Sequence, residues 1–298
     1  MIHPRHNASD DAIRTAIAIV ASELSPTGDS GWRFTLLNGA PHVVTAKTDG
    51  AWLLLEADCS GEAQRPEGFW DALVRNASFA GLAKLVLAHD GSPRLRAELP
   101  VQEGVELTAR VRETCRGFET AWSHKDDHSS PAASPAVDAE PVDLNRLCSE
   151  AGWPFAERGS QKLAFELEVR GGFCQALLVS TERGVRISCE IATLDAIPAE
   201  CRQAVGGLLL AASGLVRMGR GSVNANRTPP VAQFEVVFGT APSPSEISST
   251  LESLSVGCSL CGEEVKTLQV PAIAERYLAL RGWGANPASR QNERTVTP

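Results

Sequence analysis

Two stretches decide how this chain reads. Gly31-Trp32-Arg33-Phe34 opens a run of strand-like residues that breaks at Asn38-Gly39 and again at Asp49-Gly50. Gly152-Trp153-Pro154-Phe155 opens a second run, which breaks at Gly171-Gly172 and at Arg183-Gly184. Glycines 39 and 50 lie eleven residues apart, and glycines 172 and 184 lie twelve apart. Asn-Gly and Asp-Gly are hairpin signals, because both central residues of a type I′ turn need positive φ. Two tight turns at matched spacing, each behind a Gly-Trp-x-Phe, point to an internal duplication.

Around the first stretch the periods are readable. Ser9-Asp10-Asp11 offers a cap and acidic first-turn charge, and Ile13, Ala16, Ile17, Val20 and Leu24 fall on one helical face until Pro26 stops it. Strands follow at Trp32–Leu37, His42–Lys47 and Ala51–Ala57. Trp52-Leu53-Leu54-Leu55 is apolar on both faces, so a central, covered strand is expected there. A short helix over Phe69–Asn76 precedes two further strands, Leu82–His89 and Pro93–Leu99, joined at Asp90-Gly91. Leu107, Val111, Phe118 and Trp122 then place a single apolar stripe on a closing helix, Glu106–Trp122.

The second copy repeats this order with a shorter first helix, Asp143–Ala151, and strands at Leu163–Val169, Phe173–Ser180 and Val185–Ile191. Pro198–Leu215 is apolar nearly all round, the mark of a helix buried on more than one side. Val216–Val223 and Val231–Phe238 read as a strand pair. Ser245 is placed to cap a last long helix, in which Ile247, Leu251, Leu254, Cys258, Cys261, Val265 and Leu268 step alternately by four and three. That is a heptad seam, compatible with packing on another helix. Pro271 breaks it, and Ala272–Leu280 forms a final helix. Ser123–Pro141 is Ser, His, Asp, Ala and Pro with almost no large apolar residue, too little to order itself. The reading is an α+β chain of two tandem α-βββ-α-ββ-α domains, residues 1–122 and 142–283, with a disordered linker at 123–141 and a disordered tail at 284–298. Each domain is expected to be a twisted antiparallel sheet packed with helices.

The composition narrows the function classes. The net charge of −8, with no Lys/Arg run, disfavours a nucleic-acid partner. No stretch approaches the roughly 20 apolar residues that span a bilayer. The start, Met-Ile-His-Pro-Arg, lacks an apolar signal core, so a cytoplasmic location is expected. Most of the eight cysteines lie in apolar periodic segments and are expected to be buried thiols, not a disulfide framework.

Candidate chemistry is sparse. Cys258-Ser259-Leu260-Cys261 has the spacing of a redox or zinc pair, but neither a second pair nor a βαβ context accompanies it, and both cysteines occupy the seam. His124-Lys125-Asp126-Asp127-His128 falls in the linker; His42 and His89 lack an evident Ser or Cys partner. Met218-Gly219-Arg220-Gly221 lacks the lysine-hydroxyl ending of a phosphate loop, so a bulge or bend is expected. The six tryptophans are expected to close the edges of their own cores more than to mark binding surfaces. No catalytic set, cofactor site or metal site is assigned.

Leu73-Val74-Arg75-Asn76, Gly81–His89, Asp90-Gly91, Arg94–Pro100 and the amphipathic Glu106–Trp122 carry a resemblance to the type III secretion chaperone-like family. In that family a helix ends near an Asn, and a strand, a Gly turn, a second strand and a last helix follow. The second half departs from it at Asn224–Pro230, which is longer than a tight turn, and in its extended final helices. The resemblance implies an α+β sandwich and a non-enzymatic, homodimer-like protein that binds unfolded segments of a client polypeptide. Here two copies in one chain would form a covalent pseudo-dimer. Client contact is expected on the sheet faces and first-helix stripes, through Ile13, Ile17, Val20, Trp52, Leu54 and Phe173. A protein partner is expected, with no nucleic acid or membrane, and a homo-oligomer is compatible with the pattern. The alternative is an enzyme or enzyme accessory subunit with a thiol or metal site at Cys258/Cys261.

Overall fold

The computed structural model describes residues 10–28, 30–36, 42–59, 68–88, 91–102, 104–123, 142–181 and 184–283. The Asn38-Gly39 turn, His89, the His124–His128 run, most of the linker and the tail lie outside these residues. Two six-stranded sheets, every pairing antiparallel, combine with seven α-helices among the described residues in an α+β fold.

The first unit runs α1 (Asp10–Ala18), β1 (Ala21–Pro26), β2 (Gly31–Leu36), β3 (Val43–Asp49), β4 (Trp52–Asp58), α2 (Phe69–Asn76), β5 (Lys84–Leu87), β6 (Pro93–Pro100) and α3 (Leu107–Ser123). The second repeats it as α4 (Leu144–Glu150), β7 (Ala156–Gly159), β8 (Lys162–Val169), β9 (Gly172–Thr181), β10 (Gly184–Thr193), α5 (Arg202–Leu215), β11 (Arg220–Asn224), β12 (Val231–Phe238) and α6 (Pro244–Thr267), and adds α7 (Pro271–Leu280). The sheet orders are β1-β2-β3-β4-β6-β5 and β7-β8-β9-β10-β12-β11. In each, four strands form a meander, a helix crosses one strand position, and the next strand returns beside the last. No helix is long and apolar enough to cross a membrane among the described residues.

Each sheet has one more strand than the periodicity shows. The residues expected to finish the first helix instead form β1 along β2. Ser22 and Ser25 donate from their hydroxyls to the Thr35 and Arg33 carbonyls across the strand pair. β1 hides its period because its register shifts between Ala21 and Glu23, and β7 hides it because all four of its residues are exposed. A bulge breaks the two-residue alternation by which strands are recognised.

The cap of the long helix α6 lies two residues before the expected one, Ser245. Ser243 is the N-cap, with Pro244 at the first helical position and a reciprocal capping box to Glu246. Its seam, from Ile247 to Leu268, is buried within the chain, where α6 packs on β8, β10 and β12 and on the helices α5 and α4. The expected helix from Pro198 starts as a 3-10 turn and becomes α5 at Arg202.

The two units share one continuous hydrophobic core. Helices α2 and α5 pack against each other, α5 lies on β5 and α2 on β11. Gly206 permits this approach: a Cβ there would fall 2.8 Å from the Phe69 carbonyl carbon and 2.9 Å from the Trp70 nitrogen. Gln203 of α5 completes the start of α2, its Oε1 accepting from the Phe69 N–H at 2.8 Å. Trp283 packs edge-on against Phe69 at 5.1 Å, so this tryptophan closes the joint between units instead of the edge of its own core.

Candidate functional site

The joint is also where the buried charges lie. Lys84 opens β5; its ammonium meets Glu98 at 2.7 Å and donates to the carbonyls of Ser213, Val216 and Gly219 in the second unit. Arg220 opens β11; it pairs with Glu235 at 3.2 Å and donates to the carbonyls of Phe79, Gly81 and Ala83 in the first. Burial pulls the Lys84 ammonium and the Arg220 guanidinium below their usual ranges, and the facing carboxylates oppose that. Asn76 links the two sites, donating to the Leu85 and Gly221 carbonyls and accepting from the Leu85 N–H. A further buried set joins α3 to α6, where Arg110 pairs with Glu246 at 2.6 Å and Glu113 at 3.1 Å. Burial raises the Glu113 carboxyl above the usual range against the pull of Arg110. These groups are matched ion for ion and carbonyl for donor, an arrangement that fixes register between the units.

Helices and the opposite unit leave part of each sheet face open. On the first sheet, Thr27, Thr45, Lys47, Leu54 and Glu56 line a shallow groove of about 440 Å³ over β2, β3 and β4. On the second, the same-face residues Phe173, Gln175, Leu177 and Val179 run along β9, beside Lys162, Ala164 and Glu166 of β8. Phe173 is 69% exposed, the most open aromatic among the described residues.

The residues expected to contact a client are scattered across these settings. Ile13 and Ile17 are buried at 1% and 0%, where α1 packs on α3, so the first-helix stripe is core and offers no free surface. An amphipathic stripe reports that a face is buried, without saying by what. Val20 is half-buried at the α1–β1 turn. Trp52 and Leu54 are half-buried on the outer sheet face, so β4 is not covered on both sides as its apolar run implied. The Arg217 guanidinium lies 5.3 Å from the Trp52 ring and is bonded to Asp49, which ties Trp52 to the joint. Of the six, Leu54 and Phe173 sit on open sheet face.

The thiols assort differently from the sequence expectation. All eight cysteines are free. Cys258 does not use Cys261, which is wholly buried in the seam. Instead the Cys258 sulfur meets those of Cys174 on β9 and Cys189 on β10, all within 4.8 Å of one another. Cys189 Sγ donates to Cys174 Sγ at 3.2 Å. Thiol donors at Cys189 and Cys258 hold the Cys174 thiol well below its usual range, and donation to Cys174 raises Cys189 and Cys258. Ser255 Oγ bonds to the Glu168 carbonyl, and Ser259 Oγ accepts from the Arg170 N–H at 3.0 Å, so α6 is fastened to the β8–β9 turn on both sides of Cys258. The sequence shows that Cys174, Cys189 and Cys258 each face a core; nothing in their spacing shows that they meet.

His42 stands just ahead of β3. Its ring stacks on Trp122 at 4.1 Å and 17°, and partial burial lowers its pKa. Gly219 and Gly221 bind no phosphate-loop geometry: Gly221 lies in β11 where a Cβ would fall 2.9 Å from Leu209 Cβ, and Gly219 sits at the bend before it.

Family models, curated proteins and solved structures were each compared with this chain, and none matches.

Proposed function

We propose that this chain is a non-enzymatic, cytoplasmic protein-binding module, chaperone-like or scaffolding, that holds a partner polypeptide on its outer sheet faces. In this reading two secretion-chaperone-like units are fused, and the joint satisfies internally what a homodimer would satisfy between chains. The observation that carries it is the open outer face of each sheet, with Leu54 in the groove of the first and Phe173 exposed on the second. Large exposed aromatics beside aliphatic rows are the usual anchors of polypeptide recognition. Addition of a partner strand at the sheet edges is less favoured, since the edge strands β1 and β7 carry register shifts and charged residues and the other two edges, β5 and β11, lie against helices of the opposite unit. The buried cations Lys84 and Arg220 are committed to carboxylates of their own unit and to carbonyls across the joint, which supports a structural use for them.

The test is recovery of partners from cells by the tagged full-length chain and by Leu54→Glu and Phe173→Glu variants, with circular dichroism as the control for folding. A polypeptide partner captured by the parent and reduced in the folded variants supports the reading. Recovery of no polypeptide, or recovery undiminished in both variants, ends it. Light scattering across concentration should give the mass of one chain, because the joint that would drive pairing is already filled.

A further inference from the structure

We propose that Cys174, Cys189 and Cys258 form a binding site for one thiophilic divalent metal ion of the zinc class, held by three sulfurs with the fourth position open on the Cys174 side. The site is independent of polypeptide binding on the sheet faces.

Convergence is the first argument. Three sulfurs from three elements, two strands and a helix, lie within 4.8 Å of one another. The other five cysteines, 59, 115, 148, 201 and 261, belong to no such group among the described residues, and burial raises each of their thiols, the behaviour of small apolar residues. Tetrahedral zinc with bonds near 2.3 Å separates its sulfurs by about 3.8 Å. The 3.2 Å between Cys174 and Cys189 therefore needs to open by only about half an ångström, within reach of side-chain rotation.

Register is the second. Cys189 stands opposite Ala176, so Cys174 is its diagonal neighbour, not its directly opposed one. Diagonal Cβ atoms lie farther apart than the roughly 3.5–4.5 Å that a disulfide spans. The two sulfurs approach without being placed to bond to each other, and Cys258 comes down on the same point from the helix above. An ion between them meets that geometry; a two-sulfur bond leaves the third sulfur unused.

Donor type is the third. No histidine or carboxylate joins the group among the described residues, which favours a soft ion over Mg²⁺ or Ca²⁺. Cys189 and Cys258 are buried and Cys174 is half-buried, so solvent or an added ligand reaches the set through Cys174. Three sulfur ligands with one open position is an arrangement zinc accepts. Binding displaces the thiol protons to solvent, with no change of oxidation state. The bound ion would tie α6 to β9 and β10, beside the bonds of Ser255 and Ser259.

The experiment uses the full chain, reduced with a phosphine under anaerobic conditions. Co²⁺ is added as a spectroscopic probe, and Zn²⁺ affinity is read by competition with a chromophoric chelator. One equivalent of Co²⁺ should give intense sulfur-to-cobalt charge-transfer bands that Zn²⁺ bleaches. Cys174→Ser and Cys258→Ala should each weaken Zn²⁺ binding more than about 100-fold, beyond the ~10–100-fold that follows loss of a group merely supporting a ligand. Cys261→Ala should bind as the parent does. Cys174→Ser changes a half-exposed position and keeps the fold testable. Absence of charge-transfer bands in the parent, undiminished binding in Cys174→Ser, equal loss in Cys261→Ala, or a Cys174–Cys189 disulfide that re-forms on air exposure in a chain that takes up no metal would each overturn the proposal.

Discussion

Lys84 and Arg220 are counterparts: each opens the strand that follows the middle helix of its own unit, and each spends its hydrogen bonds on the carbonyls of the other. Lys84 donates to residues 213–219, just ahead of Arg220, and Arg220 donates to residues 79–83, just ahead of Lys84. The two segments thus lie over each other's sheets, and each cation is neutralised at home, by Glu98 or Glu235.

Breaking either site should be costly. Lys84→Met leaves the buried Glu98 with Arg96 and the Met218 N–H, and Arg220→Met leaves Glu235 with Arg186 at 3.5 Å and the Gln233 amide. Each is expected to cost about 3 kcal/mol, the lower part of the range for orphaning a buried charge. Arg94→Ala, which removes an exposed pair with Asp58, should change stability by less than about 1 kcal/mol. Denaturant unfolding of the three variants checks the contrast.

Glycine substitutions should separate the joint from the helix surface. Gly206→Ala forces a methyl onto the α2 backbone, with the nearest atom at 2.8 Å, and should destabilise by about 1–3 kcal/mol. Gly262→Ala on α6 meets nothing within 4 Å and should stabilise by about 1 kcal/mol through helix propensity. Opposite shifts in unfolding midpoint are the expected result.

Glu246 has two tasks, and Ser243 one. Ser243→Ala removes a cap hydrogen bond and should cost about 1 kcal/mol. Glu246→Ala removes the reciprocal cap bond and leaves the buried Arg110 with Glu113 as its carboxylate beside Thr240 and the Ala241 carbonyl, so about 3 kcal/mol is expected. Equal losses in the two variants would contradict the division of roles.

His42 should make the protein less stable in mild acid. Its folded pKa lies below the ordinary 6.5, so the unfolded chain binds the proton more readily. Stability is whole above pH 6.5 and falls as pH drops through the lower folded value. Thermal unfolding across this range should show the slope in the parent and a smaller one in His42→Gln. An NMR titration should place the His42 midpoint below that of free imidazole.

Much of the architecture is local in origin and could be read along the chain. The Val111–Phe118 stripe, the alternation of Leu163–Val169, the Ile247–Leu268 seam and the repeated turn glycines report which side of each element is buried, because helix and strand periods are properties of a few consecutive residues. What each buried side meets is a long-range matter. The stripe of Ile13 and Ile17 reads the same whether it faces α3 or a client. β1 and β7 exist because a neighbouring strand pairs with them, and their register shifts erase the alternation that would announce them. The exchange between Lys84 and Arg220 spans more than a hundred residues, and Cys174, Cys189 and Cys258 come together only when α6 settles on the second sheet. Side-chain period is written into adjacent residues, whereas the identity of a contact depends on how distant segments are brought side by side.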